Sequence, residues 1–260
     1  MLKKYSILTA ALAVFLLAAG CSSNQSSADS EKKVTLTISA AASTKDALEE
    51  IQKNYEKKHQ PITIQDNYGS SGALQKQISQ GAGADLFFSA AEDKFQKLVD
   101  DGDIAKKDST DLVGNEIVLI VPKNGDSPVT SFSNLADSEK IALGTPESVP
   151  AGAYAKEALT KLSLWNKLKG KIVYGKDVRQ VLSYVETGNV DAGIVYKTDA
   201  LISKKVSIID GAKADTHSPI VYPLGIVKDT KHRKEAKAFY DYLQSEAAMK
   251  VFEKYGFTAK

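Results

Sequence analysis

From Val34 to the end of the chain, short runs of β-branched and other apolar residues alternate with stretches of helical period. No other feature limits the fold as much, because repeated βα units pack as parallel sheets covered by helices. Residues 34–38 read as a strand feeding a helix over 45–58, in which Ala47, Leu48, Ile51 and Tyr55 share one face. Further strands are expected at 62–64, 86–88, 117–121, 141–143, 171–174, 192–196, 206–209 and 220–227. Helices are expected at 73–79, 92–99, 154–162, 178–186, 235–244 and 247–254. The run 117–121 is apolar throughout, as a strand covered on both faces must be, and Pro122 ends it. Residues 81–89 (GAGADLFFS) and 188–196 (GNVDAGIVY) have the same character: Gly and Asp lead into a buried strand ending in a hydroxyl residue. The repeat points to two similar lobes, which 260 residues accommodate. A cleft between two such lobes is the natural ligand site.

Charge narrows the function. The chain carries a net charge of +2, and both excess positives, Lys3 and Lys4, lie in the first twenty residues, which hold no acid. Without that stretch, 32 basic residues face 32 acidic ones. A neutral chain is a poor nucleic-acid binder, since phosphate contact needs a clustered excess of Lys and Arg. Cys21 is the one cysteine, so an intrachain disulfide, a Cys-based zinc site and a CxxC redox motif are all excluded. His59, His217 and His232 stand far apart without metal-ligand spacing, so no site for a bare metal cation and no cofactor is expected.

Lys3 and Lys4 precede an apolar run over 7–19, then Gly20 and Cys21. A basic start, a short apolar segment and small residues describe a secretory signal. The run is too short for a permanent span, which needs about 20 apolar residues. Leu17-Ala18-Ala19-Gly20-Cys21 resembles the lipobox of bacterial lipoproteins, with Ala18 where Leu is commonest. That resemblance implies cleavage before Cys21 and lipid on its sulfur and new amino terminus. Residues 22–33 (SSNQSSADSEKK) hold one apolar residue, Ala28, and read as a flexible tether.

Three apparent motifs fail. Residues 170–177 approach GxxxxGK[ST], but Asp177 takes the hydroxyl position and the intervening Ile-Val-Tyr prefers extended structure. Gly81-Ala82-Gly83 lacks its third glycine, where Leu86 stands, and Ser70-Ser71 between glycines is no GxSxG elbow. What remains is a shared chemistry at four strand-to-helix junctions: Ser43-Thr44, Gly69-Ser70-Ser71-Gly72, Val149-Pro150-Ala151-Gly152 and Asp177-Val178. Singly, each is explained by capping or punctuation, Ser43 and Asp177 as N-caps and Pro150 as a helix start. Together, in a parallel α/β lobe, they gather unsatisfied N–H groups and positive helix ends at the carboxyl edge of the sheet. None of the first three holds Lys or Arg, while Lys176 and Arg179 flank the fourth. Such a set suits an anion held by neutral donors. Because acceptors are few, it suits a fully deprotonated oxyanion, with Asp177 and Glu147 left as possible acceptors.

The segments 40–43 (AAAS), 84–87 (ADLF), 146–159 (PESVPAGAYAKEAL), 177–179 (DVR), 193–196 (GIVY) and 255–257 (YGF) resemble the periplasmic or lipoprotein molybdate-binding proteins of ABC importers. The resemblance covers nearly everything from Val34 onward, and the 146–159 run is its most specific part. It implies an α/β, two-lobed periplasmic-binding-protein-like fold of type II, with mostly parallel sheets flanked by helices. The ligand, molybdate or tungstate, would lie in the interlobe cleft. Carried onto matching positions, Ser43 and Ser71 supply hydroxyls and amides, Ala151 and Val178 backbone amides, and Tyr196 its phenolic hydroxyl. Gly72 and Ala73 stand where relatives often carry further hydroxyl residues, which leaves open whether Ser70 or Ser71 makes the closer contact.

The organisation expected is a signal at 1–20, a lipidated Cys21 and linker at 21–33, a first lobe from 34–116 plus 224–260, and a second lobe at 117–223. The function expected is extracytoplasmic capture of the oxyanion and delivery to a membrane permease by a monomeric, lipid-anchored protein without catalysis. A sulfate binder is the alternative within that class. A secreted serine hydrolase and an adhesion module are the alternatives outside it.

Overall fold

The computed structural model describes Lys33–Lys260; the expected signal, Cys21 and nearly all of the tether lie outside the described residues. The first sheet is built from β1 (Val34–Ala41), β2 (Ile62–Gly69), β3 (Leu86–Phe88) and β4 (Ile104–Gly114). The chain then enters a second sheet of β5 (Ile117–Pro122), β6 (Ile141–Gly144), β7 (Ile172–Gly175), β8 (Ala192–Tyr196) and β9 (Val206–Gly211). It returns to the first through β10 (Val221–Val227) and ends there with β11 (Thr258–Ala259). The orders are β11-β4-β10-β3-β1-β2 and β7-β6-β8-β5-β9.

The helices joining them are α1 (Lys45–Glu56), α2 (Ser71–Ser79), α3 (Glu92–Asp100), α4 (Pro150–Lys161), α5 (Trp165–Leu168), α6 (Val178–Glu186), α7 (Lys197–Ile202), α8 (Arg233–Leu243) and α9 (Glu246–Lys254). Period decides which face each one buries. Ala47, Leu48, Ile51 and Tyr55 of α1 are buried with Leu36, Ile38 and Phe88 of the sheet and Phe239 and Phe252 of α8 and α9. On the opposite face, Leu74 and Ile78 of α2 and Phe95 and Leu98 of α3 enclose Phe87. Adjacent residues of β3 thus serve two cores, as strand alternation requires. In β5 every residue from Ile117 to Val121 is buried.

The expectation of mostly parallel sheets needs correction, because both sheets are mixed. Parallel pairing is confined to β2-β1-β3 and β7-β6-β8. The strands that carry the chain between the sheets, β4, β5 and β10, pair antiparallel, as do β9 and β11. A chain that leaves a sheet and later returns beside its own exit strand arrives in the opposite direction. The return begins at Val221, where Val221 and Tyr222 pair with Gly114 and Val113, ahead of the Leu224 start expected for the final first-lobe segment.

β4 is absent from the sequence reading altogether. Its residues IAKKDSTDLVG are largely polar, and outside its last three only Ile104 and Asp108 are buried. It lies beyond β10 with only the two-residue β11 on its outer side. A strand with so little partner on one edge has little need of apolar alternation.

Candidate functional site

The parallel strands of both sheets point their carboxyl ends at one place. β1 runs into a 3₁₀ turn over Ala42–Thr44 that carries Ser43, and β2 ends at Gly69 with Ser70 as N-cap of α2. α2 begins at Ser71, two residues earlier than expected, which puts the Ser71 amide in the first turn, where the helix offers no acceptor. From the second sheet, α4 starts at Pro150 and α6 at Val178, so the amides of Ala151 and Val178 also stand in first turns. Tyr196 is the last residue of β8.

These groups line one cavity. Ser43, Ser70, Ser71, Ala151, Val178 and Tyr196 all border it, joined by Ala90 and by neighbouring residues of the same turns. It measures about 10 Å³, on the scale where one water needs roughly 10–15 Å³. The structure therefore brings all five expected residues together, and among the described residues no Lys, Arg, His, Asp or Glu lines the cavity with them. The two candidate acceptors stand elsewhere. Asp177 caps α6 by accepting the Gln180 amide at 2.8 Å, and Glu147 lines a separate surface groove with Lys156 and Lys161.

Each side chain is held by identifiable partners. The Ser43 hydroxyl lies 2.9 Å from the Tyr222 hydroxyl. Ser71 Oγ accepts the Ala90 amide at 2.8 Å, and Tyr196 Oη donates to the Ala90 carbonyl at 3.3 Å. Burial drives the Tyr196 and Tyr222 hydroxyls well above the ordinary phenol range, so both are neutral at physiological pH. Close packing explains Gly72, where relatives were expected to carry a hydroxyl. Its amide donates to the Ser148 carbonyl at 3.0 Å, and a Cβ there would lie 2.7 Å from that oxygen. This contact joins α2, on the first sheet, to the turn before α4, on the second.

Arg179 does not reach the cavity. Its Nη2 lies 2.6 Å from Asp46 of α1, and its Nε lies 2.7 Å from Asp199 of α7, which is completely buried. Burial alone would lower the Arg179 pKa, but the two carboxylates outweigh it and raise it. For Asp199, burial pushes the carboxyl up to about 7 while Arg179 pulls it back. The trio crosses from one sheet's helices to the other's, and nothing in the local sequence announces it. Sequence reading also missed Ala90, in the turn between β3 and α3, and Asn115 and Tyr222, which sit at no strand-to-helix junction.

Residues 36–258 match the family described as bacterial extracellular solute-binding protein. The chain belongs to that family. Members of this solute-binding family bind and do not convert their ligands, so the chain is not an enzyme, and its place of work is outside the cytoplasm. It is 88% identical over its whole length, and that of the relative, to YvgL of Bacillus subtilis (strain 168), a candidate ABC transporter substrate-binding lipoprotein. It is 41% identical over 231 residues to the molybdate-binding protein ModA of Haemophilus influenzae, covering 86% of this chain and 90% of ModA. Among solved structures, the substrate-binding domain of a candidate molybdenum ABC transporter from Clostridium difficile superposes with a TM-score of 0.68 at 42% identity. That match covers 87% of this chain and 99% of the other. The resemblance read from the 146–159 run and its companions is thus met by the comparisons, and so is the α/β fold.

Proposed function

We propose that the cavity captures molybdate or tungstate as the dianion and that the protein presents it to the permease of an ABC importer. The observation that carries the reading is the lining itself: hydroxyls and first-turn amides from both sheets, with no charged side chain among the described residues that border it. Oriented N–H and O–H dipoles stabilise negative charge without a counter-ion, and they gain strength where water is excluded. Micromolar binding needs about 8 kcal/mol, which several charge-assisted hydrogen bonds of roughly 1.5–3 kcal/mol supply together. Relatives named for molybdate binding support the choice of anion.

In this reading Ser43 and Ser71 donate from the first lobe and Ala151 and Val178 from the second, while Tyr196 turns its one proton from the Ala90 carbonyl to the anion. Bridging both lobes, the anion draws an open–closed equilibrium toward closed. A donor-only cage disfavours anions that keep a proton at neutral pH, because that proton finds no acceptor. Sulfate offers the same acceptors as molybdate, so selection against it falls to cavity size. The protein acts as a monomer, and lipid on Cys21 holds it at the membrane with its cleft near the permease.

A thermal-shift series over molybdate, tungstate, sulfate and hydrogen phosphate tests this, since a ligand that binds only the folded form raises the melting temperature with its affinity and concentration. Large shifts are expected for the first two anions and small ones for the others. A larger shift with sulfate would make the protein a sulfate binder, and no shift with any of the four would end the oxyanion reading.

A further inference from the structure

We propose that Tyr222, itself set by Asn115, is a positioning residue for the oxyanion site: it donates to one lone pair of the Ser43 hydroxyl and so turns that hydroxyl's proton toward the ligand. The proposal rests on the functional reading above, because it assigns a direction to a donor which that reading uses.

The direction of every bond in the chain of contacts follows from one fixed point. The Glu116 backbone amide lies 2.9 Å from Asn115 Oδ1, and a backbone N–H can only donate, so that atom is the amide oxygen. The Asn115 nitrogen therefore faces Tyr222 Oη at 3.1 Å and Thr198 Oγ1 at 2.9 Å. It has two protons and spends one on each. With Tyr222 Oη accepting from Asn115, the phenolic proton is left for Ser43 Oγ, 2.9 Å away. In the reverse arrangement, Ser43 donating to Tyr222, the buried Tyr222 proton would have to turn to the Tyr196 hydroxyl and away from the 2.9 Å contact with Ser43. Burial keeps that hydroxyl protonated, and its ring is wedged edge-on between Phe88, Tyr196 and Phe257 with centroids 5.4–6.1 Å apart. The hydroxyl cannot swing elsewhere without moving the core.

Ser71 is arranged in the same sense by different means. Its Oγ accepts the Ala90 backbone amide at 2.8 Å, so one of its lone pairs is occupied too. Two serines from separate turns, one set by main chain and one by a tyrosine, are both left with a proton free beside the cavity. Free rotation would otherwise let each hydroxyl present a lone pair to the anion. Asn115 sits in the crossing between β4 and β5 and bonds to Thr198 of α7 as well. The relay is therefore anchored where the two sheets meet.

A double-mutant cycle by titration calorimetry with sodium molybdate tests this on the folded protein. Tyr222→Phe keeps the ring and removes only the hydroxyl; it is expected to weaken binding roughly 10-fold, against roughly 100-fold for Ser43→Ala. The double variant is expected to bind like Ser43→Ala alone, because Tyr222 has nothing to position once the serine hydroxyl is gone. Asn115→Ala leaves the aromatic packing in place and is expected to weaken binding in the same coupled way, which secures the test should Tyr222→Phe fold poorly. Wild-type affinity in both Tyr222→Phe and Asn115→Ala, or penalties that add in the double variants, would overturn the relay while leaving the oxyanion site standing. A wild-type protein that takes up no molybdate would overturn the functional reading and the relay with it.

Discussion

Gly72→Ala puts a single methyl group at the contact between the two sheets. The new Cβ would stand 2.7 Å from the Ser148 oxygen and 2.9 Å from its Cα. Ordinary contact begins at 3.4 Å, so the turn before α4 must retreat by about 0.7 Å. Both atoms are backbone and cannot rotate away. Retreat stretches the 3.0 Å bond from the Gly72 amide to the Ser148 carbonyl, at about 1 kcal/mol. Overpacking of this kind costs about 1–3 kcal/mol more. If the loss falls on the closed arrangement alone, at least 2 kcal/mol, or about 30-fold in molybdate affinity, should disappear. The helix itself has no objection to Ala, which is favoured over Gly by roughly 0.5–1 kcal/mol in a helical position. The ligand-free melting temperature should therefore hold or rise while calorimetric affinity drops. Affinity within twofold of wild type, or a ligand-free melting temperature that falls in step with it, would refute the reasoning.

Two further outcomes concern the trio beneath the site. The Asp199 carboxyl holds its proton up to about pH 7 when folded, against roughly 4 when unfolded, so the stability this proton contributes is complete below about pH 4 and is lost as pH rises through 7. Asp199→Asn should remove that fall from a plot of melting temperature against pH, and an unchanged slope between pH 4 and 8 would contradict it. Arg179→Met leaves the completely buried Asp199 without its partner and should cost about 3 kcal/mol in urea unfolding; a midpoint equal to wild type would show that the pair carries no such weight.

The parts of the fold written in local pattern were legible. β5 is a continuous apolar run closed by Pro122, α4 opens on Pro150, and Asp177 caps α6. The candidate donors other than Tyr196, which came from the family resemblance alone, were legible for a related reason: serines and first-turn amides at strand-to-helix junctions follow from capping and helix ends, which are matters of a few neighbouring residues. β4 escaped because a lightly covered edge strand needs few apolar residues, and its polar run carries no period. The antiparallel pairings escaped because strand direction depends on where the chain re-enters a sheet.

From its own order of residues, this chain determined the βα alternation, the family resemblance and the neutral donor chemistry. All three are carried by contiguous segments. Tertiary structure alone decided which serine neighbours what. Ser43 and Tyr222 are 179 positions apart, Arg179 and Asp46 are 133 apart, and Gly72 meets Ser148 only where two sheets close on each other. Such partners share no period and no spacing, since their meeting is set by how two separately formed layers dock.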